Sequence, residues 1–255
     1  MKRTWLVGDL SILLLLALAL RLLTAWALRQ PGYTDAYYYA VGARQLYEGK
    51  GLSEPFLWNY LDPPAALPHP GYLYWMPLAA ILGWLGMEAL GSTFRGLQAP
   101  FVLLAALLPL LAYGLAWDMG RSIARSPRQR RRYALLAGLL ALFPGFYAHV
   151  LVLPDNFAPF ALAGALCLWT AGRGLCQGQP LWFGLAGLAA GFGHLSRADG
   201  LLLPGIVLAA ALAQLWPAAG GRGGVRHALA GAALGLLGYL CVMAPWFVRN
   251  WLVTG

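Results

Sequence analysis

The stretch Gly32-Tyr33-Thr34-Asp35-Ala36-Tyr37-Tyr38-Tyr39 comes after a long apolar run and sets one acid among four tyrosines. Aromatic rings with polar tips favour the level at which a membrane span meets water. A carboxylate there keeps its charge more cheaply than one in hydrocarbon. The run before this stretch therefore reads as a span, and the residues after it read as a hydrophilic insert outside the bilayer.

The rest of the chain agrees. Hydrophobic residues make up 60% of it and charged residues 11%, with a mean hydropathy of +0.63. That is the composition of a polytopic membrane protein. The net charge of +9 raises nucleic acid as a partner, but its distribution argues against one. Arginines crowd into short segments between apolar runs, as the positive-inside rule requires. The first run, 5–28 after Lys2 and Arg3, is too long for a secretory signal and no small-residue cleavage site comes after it, so it reads as a retained span. Cys167, Cys176 and Cys241 lack metal-type spacing and read as packing residues.

Eight apolar runs are candidates to cross the bilayer: 5–28, 72–90, 98–117, 134–153, 157–172, 181–195, 200–216 and 228–248. The segment 118–133 carries Arg121, Arg125, Arg128, Arg130, Arg131 and Arg132 and reads as a cytoplasmic loop. With Lys2 and Arg3 also inside, an even number of crossings must separate the two regions. Parity then removes 72–90, which Tyr72, Tyr74, Trp75, Pro77 and Trp84 mark as interfacial. The expected architecture is an all-α membrane helix bundle of about seven spans, forming one module over 1–255. Residues 30–95 form an external loop with juxtamembrane helices. Within it Thr34 is expected to cap a helix from Asp35 to Glu48, with Arg44 and Glu48 paired and Gly49 ending it. The loop bearing Arg222 and Arg226 falls inside, while Asp35, Asp155 and Asp199 fall outside.

Asp35 reads either as a helix-start carboxylate satisfying free backbone N–H groups or as a general base or metal ligand. Asp155, in Leu153-Pro154-Asp155-Asn156, is either a plain turn residue or a second acid held at the bilayer surface. Upstream, His149 reads as a structural histidine. Arg197, in Leu195-Ser196-Arg197-Ala198-Asp199-Gly200, is a local partner of Asp199 or a phosphate clamp. His69 sits in a proline-flanked turn on the same side. Arg249, in Pro245-Trp246-Phe247-Val248-Arg249-Asn250-Trp251, is an interfacial anchor or a second phosphate ligand. Carboxylates that hold a cation or take a proton, with arginines that hold a phosphate, suit a phosphate-linked leaving group on a lipid tail.

In this order the motifs resemble the membrane module of GT-C glycosyltransferases, the group that holds protein O-mannosyltransferases and lipid A aminoarabinose transferases. The resemblance runs from Arg21 through Tyr33-Thr34-Asp35-Ala36-Tyr37-Tyr38, His69-Pro70-Gly71-Tyr72-Leu73-Tyr74, Asp155 and Leu195-Ser196-Arg197-Ala198-Asp199-Gly200 to Pro245-Trp246-Phe247-Val248-Arg249-Asn250. It implies a polyprenyl-phosphate-linked sugar donor and a protein, lipid or glycan acceptor, with inverting transfer on the extracytoplasmic face of the cytoplasmic membrane. Asp35 and Asp155 are then the catalytic acids and the residues for a divalent metal ion. Arg197, Arg249 and His69 face the donor phosphate. The paired acid common in relatives is absent, since Ala36 succeeds Asp35, and Gly71 stands where a second proline is common. Family members usually continue beyond this length. A truncated product, a fragment and half of a two-chain system all fit, as do a non-catalytic subunit and a transporter or lipid-binding protein. The transporter reading would rest on Asp9 and Arg21, the clear charges within a span.

Overall fold

The computed structural model describes residues 3–57, 64–215 and 224–255. Lys2, the Asp62-Pro63 break and Arg222 lie outside the described residues. The chain divides into two compact units: the described parts of Met1–Tyr47 with Ala80–Ala158, and of Glu48–Ala79 with Pro159–Gly255.

The first unit contains α1 (Arg3–Ala27), α2 (Thr34–Tyr47), most of α3 (Leu78–Leu90), α4 (Phe94–Ile123) and α5 (Pro127–Ala141). Leu13 packs with Tyr113 and Ala134, and Ala17 with Ala106 and Leu142, so α1, α4 and α5 share one core. Their outer faces remain apolar, with Leu15, Leu22, Leu23, Leu103 and Leu140 exposed. Helices hydrophobic on every side belong in lipid. Thr93 caps α4 by accepting from Gly96 N–H at 3.1 Å. Arg95 reaches back to the last carbonyls of α1, donating to Ala25 O at 2.5 Å and Trp26 O at 3.0 Å. A helix end leaves its last carbonyls short of donors, so the guanidinium helps close that end beside Leu28 N–H, which donates to Ala25 O at 3.1 Å.

The segment read as an arginine loop over 118–133 is mostly helical. α4 runs on to Ile123, and α5 starts at Pro127 behind the N-cap Ser126. The run at 134–153 also departs from a straight span. α5 ends at Ala141, and 3-10 turns over Gly145–Ala148 and Val150–Val152 come next, after a bend of 73°. Pro144 and Gly145, whose φ is +61°, account for that break.

Within this unit Asp9 is nearly fully buried and takes a two-pronged contact from Arg131, at 2.7 and 2.6 Å, plus the Tyr113 hydroxyl at 3.1 Å. It thus ties α1 to α4 and α5. Asp9→Ala is expected to cost about 1.5–3 kcal/mol, the range for hydrogen bonds to charged groups. The check is thermal unfolding in detergent, where an unchanged midpoint contradicts this role.

The second unit contains a two-residue antiparallel pair, β1 (Ser53–Glu54) with β2 (His69–Pro70), then α6 (Phe157–Gln177, from Pro159 on), α7 (Pro180–Ser196), α8 (Leu202–Leu212) and α9 (Gly224–Thr254). α7 and α9 approach closely through glycines. A Cβ at Gly187 would run into the Gly235 backbone, and one at Gly238 into Gly184 O and Leu188 N. Small residues allow this approach in membranes, where helix association relies on packing. A polar contact joins the same helices, between His194 Nδ1 and the Tyr239 hydroxyl at 2.7 Å.

Among the described residues four helical segments are long and apolar enough to cross a membrane, or five with the bent pair around Pro144. α3 has 13 residues, or about 20 Å at 1.5 Å per residue, against a hydrocarbon core of about 30 Å. α6 and α7 have 21 and 17 residues. The protein is thus an all-α membrane protein.

Candidate functional site

In the first unit Asp155 meets Tyr33, and the charge of Asp35 reaches the same tyrosine. α2 opens at Thr34, and Tyr33 O accepts the N–H of Tyr37 at 3.1 Å, so the helix starts one residue before the expected Asp35. Asp35 therefore lies in the first turn, where a negative charge is favoured. Asp155 comes after the short 3-10 turn and is 1% exposed. Its Oδ2 accepts from the Tyr33 hydroxyl, and its Oδ1 accepts from Asn156 N–H at 2.5 Å. Asn156 in turn donates through Nδ2 to the Tyr39 hydroxyl at 3.2 Å. Tyr38 and Tyr39 meet edge to face at 5.6 Å, which fixes the α2 side of the cluster. Burial, then the hydrogen bond and charge of Asp155, then the charge of Asp35, push the Tyr33 phenol above its ordinary value. Tyr33 is consequently a neutral donor, and two carboxylates act on it.

Asp35 and Asp155 bring carboxylate oxygen, the ligand type of hard divalent cations. Among the described residues no three His, Cys, Asp or Glu side chains form a metal-binding group. A cation held by Asp35 and Asp155 would therefore complete its shell with water or ligand oxygens, as Mg²⁺ commonly does.

In the second unit the basic residues have partners. Arg197 ends α7 and forms a two-pronged pair with Asp199, Nε to Oδ1 at 3.0 Å and Nη2 to Oδ2 at 3.4 Å, with its guanidinium over Phe160. Its side chain is 35% exposed and that of Asp199 55%. A pair so exposed is worth about 0–1 kcal/mol, so an incoming phosphate can compete for the guanidinium.

Arg249 is differently employed. α9 continues past the expected end of the last run to Thr254, and from it Arg249 donates to Leu52 O at 2.9 Å and Asn250 Oδ1 at 3.0 Å. Asn250 donates to Leu73 O at 3.2 Å. The Arg-Asn motif thereby holds the backbone on both sides of the small sheet.

His69 is buried beside Glu54 rather than displayed on an exposed turn. Its Nε2 lies 3.6 Å from Glu54 Oε2 and 3.3 Å from Phe56 O. Glu54 also accepts from Tyr72 N–H at 3.1 Å. A Cβ at residue 71 would strike the Glu54 side chain. Glycine therefore stands there because a buried acid occupies the space.

The structure thus joins Asp155 to Tyr33, with Asp35 acting on the same phenol. It pairs Arg197 with Asp199, and it gives Arg249 and His69 to the loop. Glu54 and the hydrogen-bonding role of Tyr33 escape the sequence reading. Tyr33 had a signal, since it adjoins Asp35 in the opening stretch. Glu54 had none, because its importance comes from a two-residue strand pair.

The fold has a counterpart among solved structures. A solved structure of the archaeal oligosaccharyltransferase AglB from Archaeoglobus fulgidus, in complex with an inhibitory peptide and a dolichol-phosphate, matches with a TM-score of 0.66 at 19% identity. The match covers 96% of this chain and 29% of that one, so this chain spans less than a third of the oligosaccharyltransferase's length. No family model and no curated protein sequence matches it.

Proposed function

We propose that the chain is the membrane module of an inverting GT-C-type glycosyltransferase, with about seven spans. It moves a sugar from a polyprenyl-phosphate donor to a protein, lipid or glycan acceptor on the extracytoplasmic face of the cytoplasmic membrane. The observation that carries this reading is the Asp155–Tyr33 contact with Asp35 acting on the same tyrosine, within a fold like that of an oligosaccharyltransferase. The dolichol-phosphate in the AglB complex supports a lipid-phosphate donor.

Asp35 accepts the proton of the acceptor nucleophile as that nucleophile attacks the anomeric carbon. The bond from that carbon to the phosphate oxygen breaks, its electrons leave with the polyprenyl phosphate, and the configuration inverts. Arg197 exchanges Asp199 for the donor phosphate and stabilises the growing charge of the leaving group. Arg249 acts on the donor by holding the loop at Leu52, and His69 by its contact with Glu54. Asp155, fixed by Tyr33 and Asn156, orients the acidic cluster. A divalent ion held by Asp35 and Asp155 would supply Lewis-acid stabilisation of negative charge.

Tyr33→Phe removes one hydrogen bond to the buried Asp155 carboxylate. Transfer is expected to slow by roughly tenfold, the lower end for a charged hydrogen bond, with donor affinity kept. Equal rates in the variant and the native protein contradict an ordering role for Tyr33.

The test of the reaction is release of polyprenyl phosphate from a polyprenyl-phosphate sugar by the full chain in proteoliposomes. Release that depends on an added acceptor supports the transferase. Donor binding without release supports the non-catalytic subunit, and movement of the intact donor across the bilayer supports the transporter.

A further inference from the structure

The arginines around the α4–α5 junction do more than bias orientation. Three of them line a cavity of about 350 Å³ together with Trp117 and Ser126, wholly within the first unit. Gly120 lets the aliphatic stem of Arg130 lie against α4, since a Cβ there would come within 2.9 Å of Arg130 Cγ. Arg130 is locked in place: its Nε donates to Trp117 O at 2.5 Å and its guanidinium stands 4.1 Å from the Trp117 ring centroid. Its Nη2 is buried and has no hydrogen-bond partner. A buried, unmatched cationic donor is costly unless something supplies an acceptor.

The other groups facing the cavity favour an anion. Arg121 is exposed and pairs with Asp118 at 3.2 Å, and the Arg125 side chain is exposed. Three guanidiniums thus stand against one carboxylate. The positive end of the 15-residue α5 opens at the same place. Arginine matches phosphate oxygens through its fork of N–H donors.

We infer that this cavity is an anion site for a phosphate ester, filled by the headgroup of an anionic phospholipid. Two observations favour lipid over a soluble ester. Met119 and Ile123 are 69% and 66% exposed on the same last turns of α4, so the level of the cavity along that helix is one where apolar side chains face outward, as at the edge of a lipid layer. Trp117 already has Arg130 over its ring and Tyr113 stacked on it at 6.3 Å, so it is not free to stack on a nucleotide base. Basic pockets between transmembrane helices bind lipid headgroups in this manner. The inference does not depend on the transfer reaction.

The experiment tracks the thermal midpoint of the full chain in neutral detergent during four titrations. These use short-chain phosphatidylglycerol, short-chain phosphatidylcholine, glycerol phosphate and inorganic phosphate, at matched ionic strength. Phosphatidylglycerol is expected to raise the midpoint saturably and phosphatidylcholine is not. Arg125→Gln and Arg121→Gln, both at exposed side chains, are each expected to raise the half-effect concentration about tenfold, as loss of one charge-assisted contact implies. Glycerol phosphate acting at the same concentrations as the lipid keeps the anion site but overturns the lipid as its occupant. Equal responses to the two lipids, or an unchanged phosphatidylglycerol response in both variants, overturn the site itself.

Discussion

Asp35→Asn is expected to abolish the proposed transfer while the protein still inserts, folds and binds donor. The substitution keeps size and one acceptor oxygen but removes the proton-accepting charge. General-base contributions are typically about a hundredfold to ten-thousandfold, so the loss should be at least about a hundredfold. Asp155→Asn should fall as far for a different reason. The amide oxygen can still accept from one of Tyr33 and Asn156, but the negative charge at the cluster is gone. Turnover retained in the Asp35 variant removes it from the mechanism and returns it to the helix-start role.

The second large effect concerns the fold. Gly187→Leu should unfold or strongly destabilise the second unit, because the new side chain meets Gly235 backbone rather than a movable side chain. Overpacking costs about 1–3 kcal/mol where side chains can shift. Backbone cannot give in the same way, so the expected cost is about 3 kcal/mol or more. Gly205→Leu is the control, because a Cβ at that α8 position meets nothing within 4 Å. Limited proteolysis in detergent reads both. Equal resistance of the Gly187 variant and the native chain contradicts the close α7–α9 approach.

Much of the fold was legible in the residues. Each apolar run contains a helix, because lipid-facing segments must satisfy their backbone internally and have little alternative. The tyrosine-rich stretch marked the start of α2 to within a residue, since Tyr33, Thr34 and Asp35 all suit a helix entrance. The break at Pro144-Gly145 was written in the chain but lost within an otherwise apolar run. The Gly187/Gly191 and Gly231/Gly235 pairs at spacing four also went unread, though such spacing marks close helix contacts in membranes.

Side-chain pairing was far less legible. The two readings of Arg197 differ only in whether Asp199 engages it, and neighbours two apart in sequence meet only if the helix ends there. It does, at Ser196, and the extended backbone of Arg197 allows the pair. The burial of His69 depends on Glu54, fifteen residues earlier and paired across a sheet too short to leave a pattern. Asp9, on which a transporter reading would rest, is engaged by Arg131 of α5 and Tyr113 of α4.

A lipid-phosphate donor held by Arg197 is the centre of the proposed mechanism. The decisive measurement is equilibrium binding of a polyprenyl-phosphate sugar to the purified chain and to its Arg197→Ala variant. The native chain should bind saturably, and the variant about tenfold to a hundredfold more weakly, as loss of a bidentate phosphate contact implies. Absence of binding to the native chain, or equal affinity in the variant, contradicts that mechanism.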